Sequence, residues 1–167
     1  MPSQVLTRAG THLRMVKQGL RDMQDPDGDR VILGFFGIAV FGRSVTSALQ
    51  NLRTFDKEAF DEWYGPWKQE MKEDPLCRFF YQLRTDILKD IGPLVGFVLA
   101  SMGDAPKVGT VTIEDRPLPT QHRGLVISDT STFHLCSLYV AYLEEMVNSA
   151  STVTFAVEDR WLLSHYG

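Results

Sequence analysis

Cysteine is scarce: there are two in 167 residues. Cys77 and Cys136 are too few and too far apart for a Cys-x-x-Cys metal site or a disulfide framework. Each sits among apolar neighbours, Leu76 and Phe79 in one case and Leu135 and Leu138 in the other. Both therefore read as buried, reduced thiols, which fits a reducing compartment. Basic charge is also short. Seventeen Lys and Arg against 21 Asp and Glu leave a net charge of −4, the wrong sign for a generic phosphate-backbone binder, although compatible with a local basic face. Long apolar runs are missing too: the strongest, Val31 to Gly42, covers about 12 residues against the ~20 that span a bilayer, and reads as a buried helix. The opening MPSQVLTRAGTHLRMVK is charged and has no unbroken apolar core, so it is not a signal peptide, and a cytoplasmic protein with no membrane partner is expected.

The common catalytic signatures are absent as well. There is no Gly-x-x-x-x-Gly-Lys, no His-Glu-x-x-His and no Gly-x-Ser-x-Gly. His12, His122, His134 and His165 are scattered without metal-ligand spacing, and His122 and His165 read as surface residues. Asp25-Pro26-Asp27-Gly28-Asp29 looks superficially like a calcium loop, but it lacks the glycine position and the bidentate Glu at the twelfth place and reads as a turn. Neither a metal nor a cofactor is expected.

What is present is the composition of an ordinary globular protein, 44% hydrophobic and 23% charged, which excludes disordered or low-complexity chains. The length suits one domain over 1–167. Leu6, Ala9, Leu13, Val16, Leu20 and Met23 recur at three and four residues, one apolar stripe along a first helix that stops at Asp25-Pro26-Asp27-Gly28. A second helix is expected from Arg30 to Leu52. Its first half is apolar all round and central to the core, and Gly34, Gly37 and Gly42 allow a neighbouring helix to come close. Asp56 caps a third helical stretch carrying Phe60, Trp63, Trp67 and Met71, where Gly65-Pro66 predicts a kink or two short helices.

Asp74 as cap and Pro75 at the first position start a fourth helix, buried along Leu76, Phe80, Leu83 and Ile87 and ended by Gly92-Pro93. Leu94 to Met102 is undecided between helix and strand. VGTVTIED and RGLVISD alternate as strands around an RPLP turn, predicting a β-hairpin over 108–128. A long helix capped by Thr130 or Ser131 then runs through Phe133, Cys136, Val140 and Leu143 to Trp161, unless Ser149 to Thr152 breaks it. Tyr139, Tyr142 and Met146 give it a second apolar edge, surplus surface that suggests a partner such as another copy of the chain. The expected fold is mainly α: a bundle of four to five helices with a small β-hairpin insertion before a long C-terminal helix.

FGRSVTSALQ at 41–50, FDEWYGPW at 60–67 and DPLCRFFYQLRTDILKDIGP at 74–93 follow one another in order with short connections. The set resembles a group of uncharacterised bacterial HEPN-like helical proteins, over about 30–93. Their fourth helix carries aspartate-proline-leucine, an aromatic pair, leucine-arginine-asparagine and then lysine-glutamate-glycine. The resemblance implies a helical bundle that pairs through a two-fold interface. In the catalytic branch an arginine, and a histidine four to six residues later, cleave RNA without metal at the dimer cleft. Arg84 matches that arginine; Thr85 stands where asparagine is usual, and Lys89, Asp90 and Ile91 stand where the histidine would be.

A histidine near pKa 6.5 exchanges a proton at neutral pH and a lysine near 10.4 does not, so Lys89 suits binding a phosphate better than catalysis. Arg84 is equally readable as a structural partner of Asp86, Asp90 or an acid on a neighbouring helix. Arg43 interrupts an apolar helix, so it is expected to bridge to Asp61, Glu62 or Asp86, or else to share a polar cleft with Arg84. Arg14, Lys17 and Arg21 share one face, read as solvated rather than as a nucleic-acid patch. The expectation is a non-catalytic HEPN-like interaction or regulatory module that pairs with itself and with other proteins. The alternatives are a metal-independent endoribonuclease of a defence or toxin–antitoxin system, and a small-molecule or nucleotide sensor with a pocket between helices 2 and 4 near Arg43; RNA or a nucleotide is the further candidate partner.

Overall fold

The computed structural model describes residues 1–89, 95–100 and 108–155, with backbone alone at 95–100 and 108–110. Helix α1 (Pro2–Asp22) buries Ala9, Leu13, Val16 and Gly19. In the following turn the Asp27 carboxylate accepts from Asp29 N at 3.0 Å and caps α2 (Gly28–Gln50). Arg30 neutralises Asp22 and Asp25, so the acidic run is a turn, as its spacing indicates. A Cβ on Gly19 would lie 2.7 Å from the carbonyl oxygen of Gly34, and one on Gly42 would lie 2.6 Å from Cε1 of Tyr139. Two of the three expected glycines in α2 therefore mark close approaches, while Gly37 faces open space. α2 with the 3₁₀ turn Asn51–Thr54 is long and apolar enough to cross a membrane by length and composition, at mean hydropathy 1.6, yet half of that window is buried in the core.

Helix α3 (Lys57–Glu73) is one continuous helix with Pro66 inside it, not a kinked pair. Gly65 explains part of this. The residue before a proline is driven from helical backbone partly by its own Cβ, and glycine has none. Gly65, Pro66 and Glu62 are all exposed, so water can take the bond that Pro66 cannot donate to the Glu62 carbonyl. Helix α4 (Pro75–Leu88) begins as expected, with the Asp74 carboxylate accepting from Cys77 N at 3.0 Å. It ends earlier than Gly92-Pro93, which lie outside the described residues: Lys89 is its C-cap and bonds the Thr85 and Asp86 carbonyls at 3.1 Å.

The strands differ from the expected 108–128 hairpin. β2 (Val108–Ile113) pairs antiparallel with the preceding β1 (Val95–Ala100), from Val95↔Ile113 to Ala100↔Val108. The undecided apolar run therefore supplies a strand. Pro117 and Pro119 lack the N–H a ladder needs, and the chain beyond them makes its own short ribbon of β3 (Gln121–His122) and β4 (Leu125–Val126). Its turn uses Arg123 at φ 51 and Gly124 at φ 75.

Helix α5 (Thr132–Thr152) is capped by Ser131, which accepts from His134 N at 3.3 Å. It stops at the expected break, where the Ser151 and Thr152 hydroxyls donate to the Asn148 and Ser149 carbonyls. Its continuation to Trp161, and His165, lie outside the described residues. The apolar edge read as surplus is used internally: Tyr139, Tyr142 and Met146 are all buried. Tyr139 stacks on Phe80 at 4.2 Å between ring centroids, and α5 packs against α1, α2, α4 and β2 as a core helix. The described residues form a bundle of five α-helices with two small antiparallel ribbons before the last of them.

Candidate functional site

α4 carries Arg84, Asp86 and, at its C-cap, Lys89. Arg84 does not pair with Asp86. The Asp86 carboxylate is held by Arg116 Nη1 at 2.7 Å and by Gln82 Nε2 at 2.7 Å, which fastens α4 to the segment after β2. Arg84 is half-buried and makes no ion pair among the described residues; its Nε is buried with no hydrogen-bond partner. Tyr81 and Leu88 lie three residues before and four after it, on the same flank of the helix, and are 59% and 58% exposed. Lys89 is exposed and, five residues along, points roughly 140° away from Arg84 about the helix axis. Its place at the C-terminus suits a cation structurally.

Arg43 is half-buried and makes none of the bridges expected of it. Its Nη1 donates to Thr46 Oγ1 at 3.0 Å, and that hydroxyl donates to the Arg43 carbonyl at 2.9 Å. Asp61 is taken by Arg53 and Lys57. Arg43 and Arg84 do converge electrostatically on one group. Burial pushes the Tyr139 hydroxyl upward in pKa, and both guanidinium charges pull it back.

Arg43 also lines a groove of about 1520 Å³ between α2, α3, α4 and the Pro117–Thr120 segment; Arg84 does not. Among the described residues its cations are Arg43, Arg53, Lys68, Lys72 and Arg78, and its one carboxylate is Asp61. Of the N-terminal basic face, Lys17 pairs with Glu144 on α5, Arg14 bonds Thr11 and Arg21 bonds Gln18. Cys77 and Cys136 are free and buried, and burial pushes both thiols far above their ordinary pKa. Among the described residues no group of His, Cys, Asp and Glu has the arrangement of a metal site.

A second constellation escaped the sequence. His122, read as a surface residue, is largely enclosed, with Nδ1 3.0 and 3.1 Å from the two oxygens of Asp74. The Arg123 backbone N donates to the same carboxylate at 2.6 Å. The Arg123 guanidinium bonds Glu70 of α3 and Glu145 of α5 and lies over the rings of Trp67 and Tyr142. Burial alone would raise the Asp74 pKa. The N–H groups of Arg123 and Cys77, with His122, outweigh it and hold the carboxyl below its ordinary value. One hairpin turn is thus bolted to three helices. The available signal was Arg123-Gly124, a two-residue turn that places an arginine in left-handed backbone, where Asn or Asp is usual. Comparison with family models, with curated proteins and with solved structures finds no match to this chain.

Proposed function

We propose that this chain is a non-catalytic HEPN-like interaction or regulatory module, cytoplasmic, that pairs with a second copy of itself through the outer flank of α4. The observation that carries the reading is the exposure of Tyr81 and Leu88, at 59% and 58%, on either side of Arg84. Two large apolar side chains bracketing a half-buried guanidinium that has no ion pair among the described residues form a surface that gains from being covered. The second apolar edge of α5 plays no part, since Tyr139, Tyr142 and Met146 are buried within the chain. A proton-transferring histidine is lacking at the positions after Arg84, and Lys89 faces elsewhere, which favours binding over turnover. The test is light scattering after size exclusion: a dimer for the natural chain, and a monomer for Leu88→Asp with an unchanged circular dichroism spectrum.

A metal-independent endoribonuclease is the second reading, favoured by the Arg84 guanidinium standing free of any acid among the described residues. It requires cleavage of RNA in chelator that is lost in Arg84→Ala. Intact RNA, or cleavage that persists in that variant, removes it.

A further inference from the structure

The basic groove lies on the first half of α4; it shares Tyr81 with the flank proposed for self-pairing but takes in neither Arg84 nor Leu88, and it asks for a different occupant. Asp61, its one carboxylate among the described residues, is already neutralised by Arg53 and Lys57. Arg43, Lys68, Lys72 and Arg78 have no ion-pair partner among the described residues, and the last three are exposed. A chain of net charge −4 therefore concentrates free positive charge in one concavity. Lys68 and Lys72 stand one turn apart on α3, about 6 Å along its axis, with Arg78 across the groove on α4. Gly65 lies on that same side of α3, one turn before Lys68, and a Cβ there would meet nothing within 4 Å. The wall is thus open down to the helix backbone.

The surfaces between these charges decide what fits. Phe60, Tyr64, Phe80 and Tyr139 line the groove but are only 1–8% exposed, which leaves Phe79 and the 59%-exposed Tyr81 as its ring faces, short of the row of platforms on which successive nucleic-acid bases stack. Met71, Phe79, Pro117 and Leu118 add apolar lining, and a methionine adapts readily to inserted side chains. At about 1520 Å³ the concavity exceeds the ~300–1,000 Å³ typical of small-molecule sites. A volume of that size, with apolar side chains between the charges, suits a peptide segment held by its apolar anchors.

We propose that this groove binds an acidic amphipathic peptide segment of another protein, its apolar side chains set against Met71, Phe79 and Leu118 and its carboxylates facing Lys68, Lys72 and Arg78. This names the kind of partner an interaction module would engage and rests on that reading, but not on self-pairing. The probe is a fluorescein-labelled 15-residue peptide with Leu and Phe at helical spacing and Glu at the remaining positions. Fluorescence anisotropy is read with the full chain and, in parallel, with Leu88→Asp.

Saturable binding is expected for both proteins. The Kd should rise at least tenfold in the surface double variant Lys72→Glu/Arg78→Glu and at least tenfold between 50 and 500 mM salt. A control peptide with Lys in place of Glu should not bind, and a scrambled peptide that keeps charge but loses anchor spacing should bind at least tenfold more weakly. Equal binding of the scrambled peptide overturns the proposal by reducing it to charge alone. So does equal affinity in the double variant, or a single-stranded RNA oligonucleotide that binds where the peptide does not. Because the oligomeric state is measured separately, a monomer that still captures the peptide refutes self-pairing and leaves the groove standing. A dimer that ignores the peptide does the reverse.

Discussion

Asp74 accepts from Cys77 N, from Arg123 N and from the His122 ring while nearly enclosed, and this fixes the direction of its pH dependence. Its folded pKa lies below the ordinary carboxyl value, so the folded state binds this proton less readily than the unfolded chain. The stabilisation is complete above the unfolded value near pH 4 and is lost as pH falls through the lower folded value. Asp74→Ala should cost about 1–3 kcal/mol at pH 7, from the lost cap and the stranded donors. Denaturant titrations should show that deficit narrowing below pH 4; a deficit constant down to pH 2 would contradict this account. Two glycines of α2 make a second residue-scale test. Gly34→Ala presses a methyl on the α1 backbone and should lose about 1–3 kcal/mol. Gly37→Ala meets nothing and should gain up to about 1 kcal/mol from helix propensity. Thermal melts that moved in the same direction for both would deny the close crossing.

At the scale of elements, α3 carries its proline at a cost that substitution can recover. Pro66→Ala restores the donor to the exposed Glu62 carbonyl and should raise stability by up to about 3 kcal/mol, seen as a higher melting temperature. A loss would mean that Pro66 packs rather than merely interrupts. This element shows why the sequence was hard to read there. Gly65-Pro66 is a break signal in isolation, and only the exposure of that face, a tertiary fact, makes it tolerable. The caps at Asp56, Asp74 and Ser131 were legible because they are local, each accepting a bond three residues onward, whereas Asp27, which reads as part of a turn, caps an α2 that starts two residues before its expected start at Arg30. Strand pairing was not legible. The alternation in VGTVTI marks a strand, but nothing local tells whether its partner lies before or after it, and the apolar run at 95–100 hides its period.

Across the whole molecule, the mainly helical bundle was readable from apolar periodicity, whereas the site was readable only in parts. Arg43 and Arg84 stood out because a charge interrupts or adjoins an apolar stripe. The ion pairs built around them did not, since Asp86–Arg116 spans 30 residues and Asp74–His122 spans 48. The direction of α5's second edge could not be told from spacing: an apolar edge facing α4 and one facing solvent have the same period. The measurement that tests the central claim most directly is light scattering of the eluted peak, with the same fractions incubated with mixed RNA in chelator. The account predicts twice the chain mass, intact RNA, and a monomer for Leu88→Asp. A natural chain that stays monomeric at every concentration, or a peak that cuts RNA and loses that activity in Arg84→Ala, contradicts it.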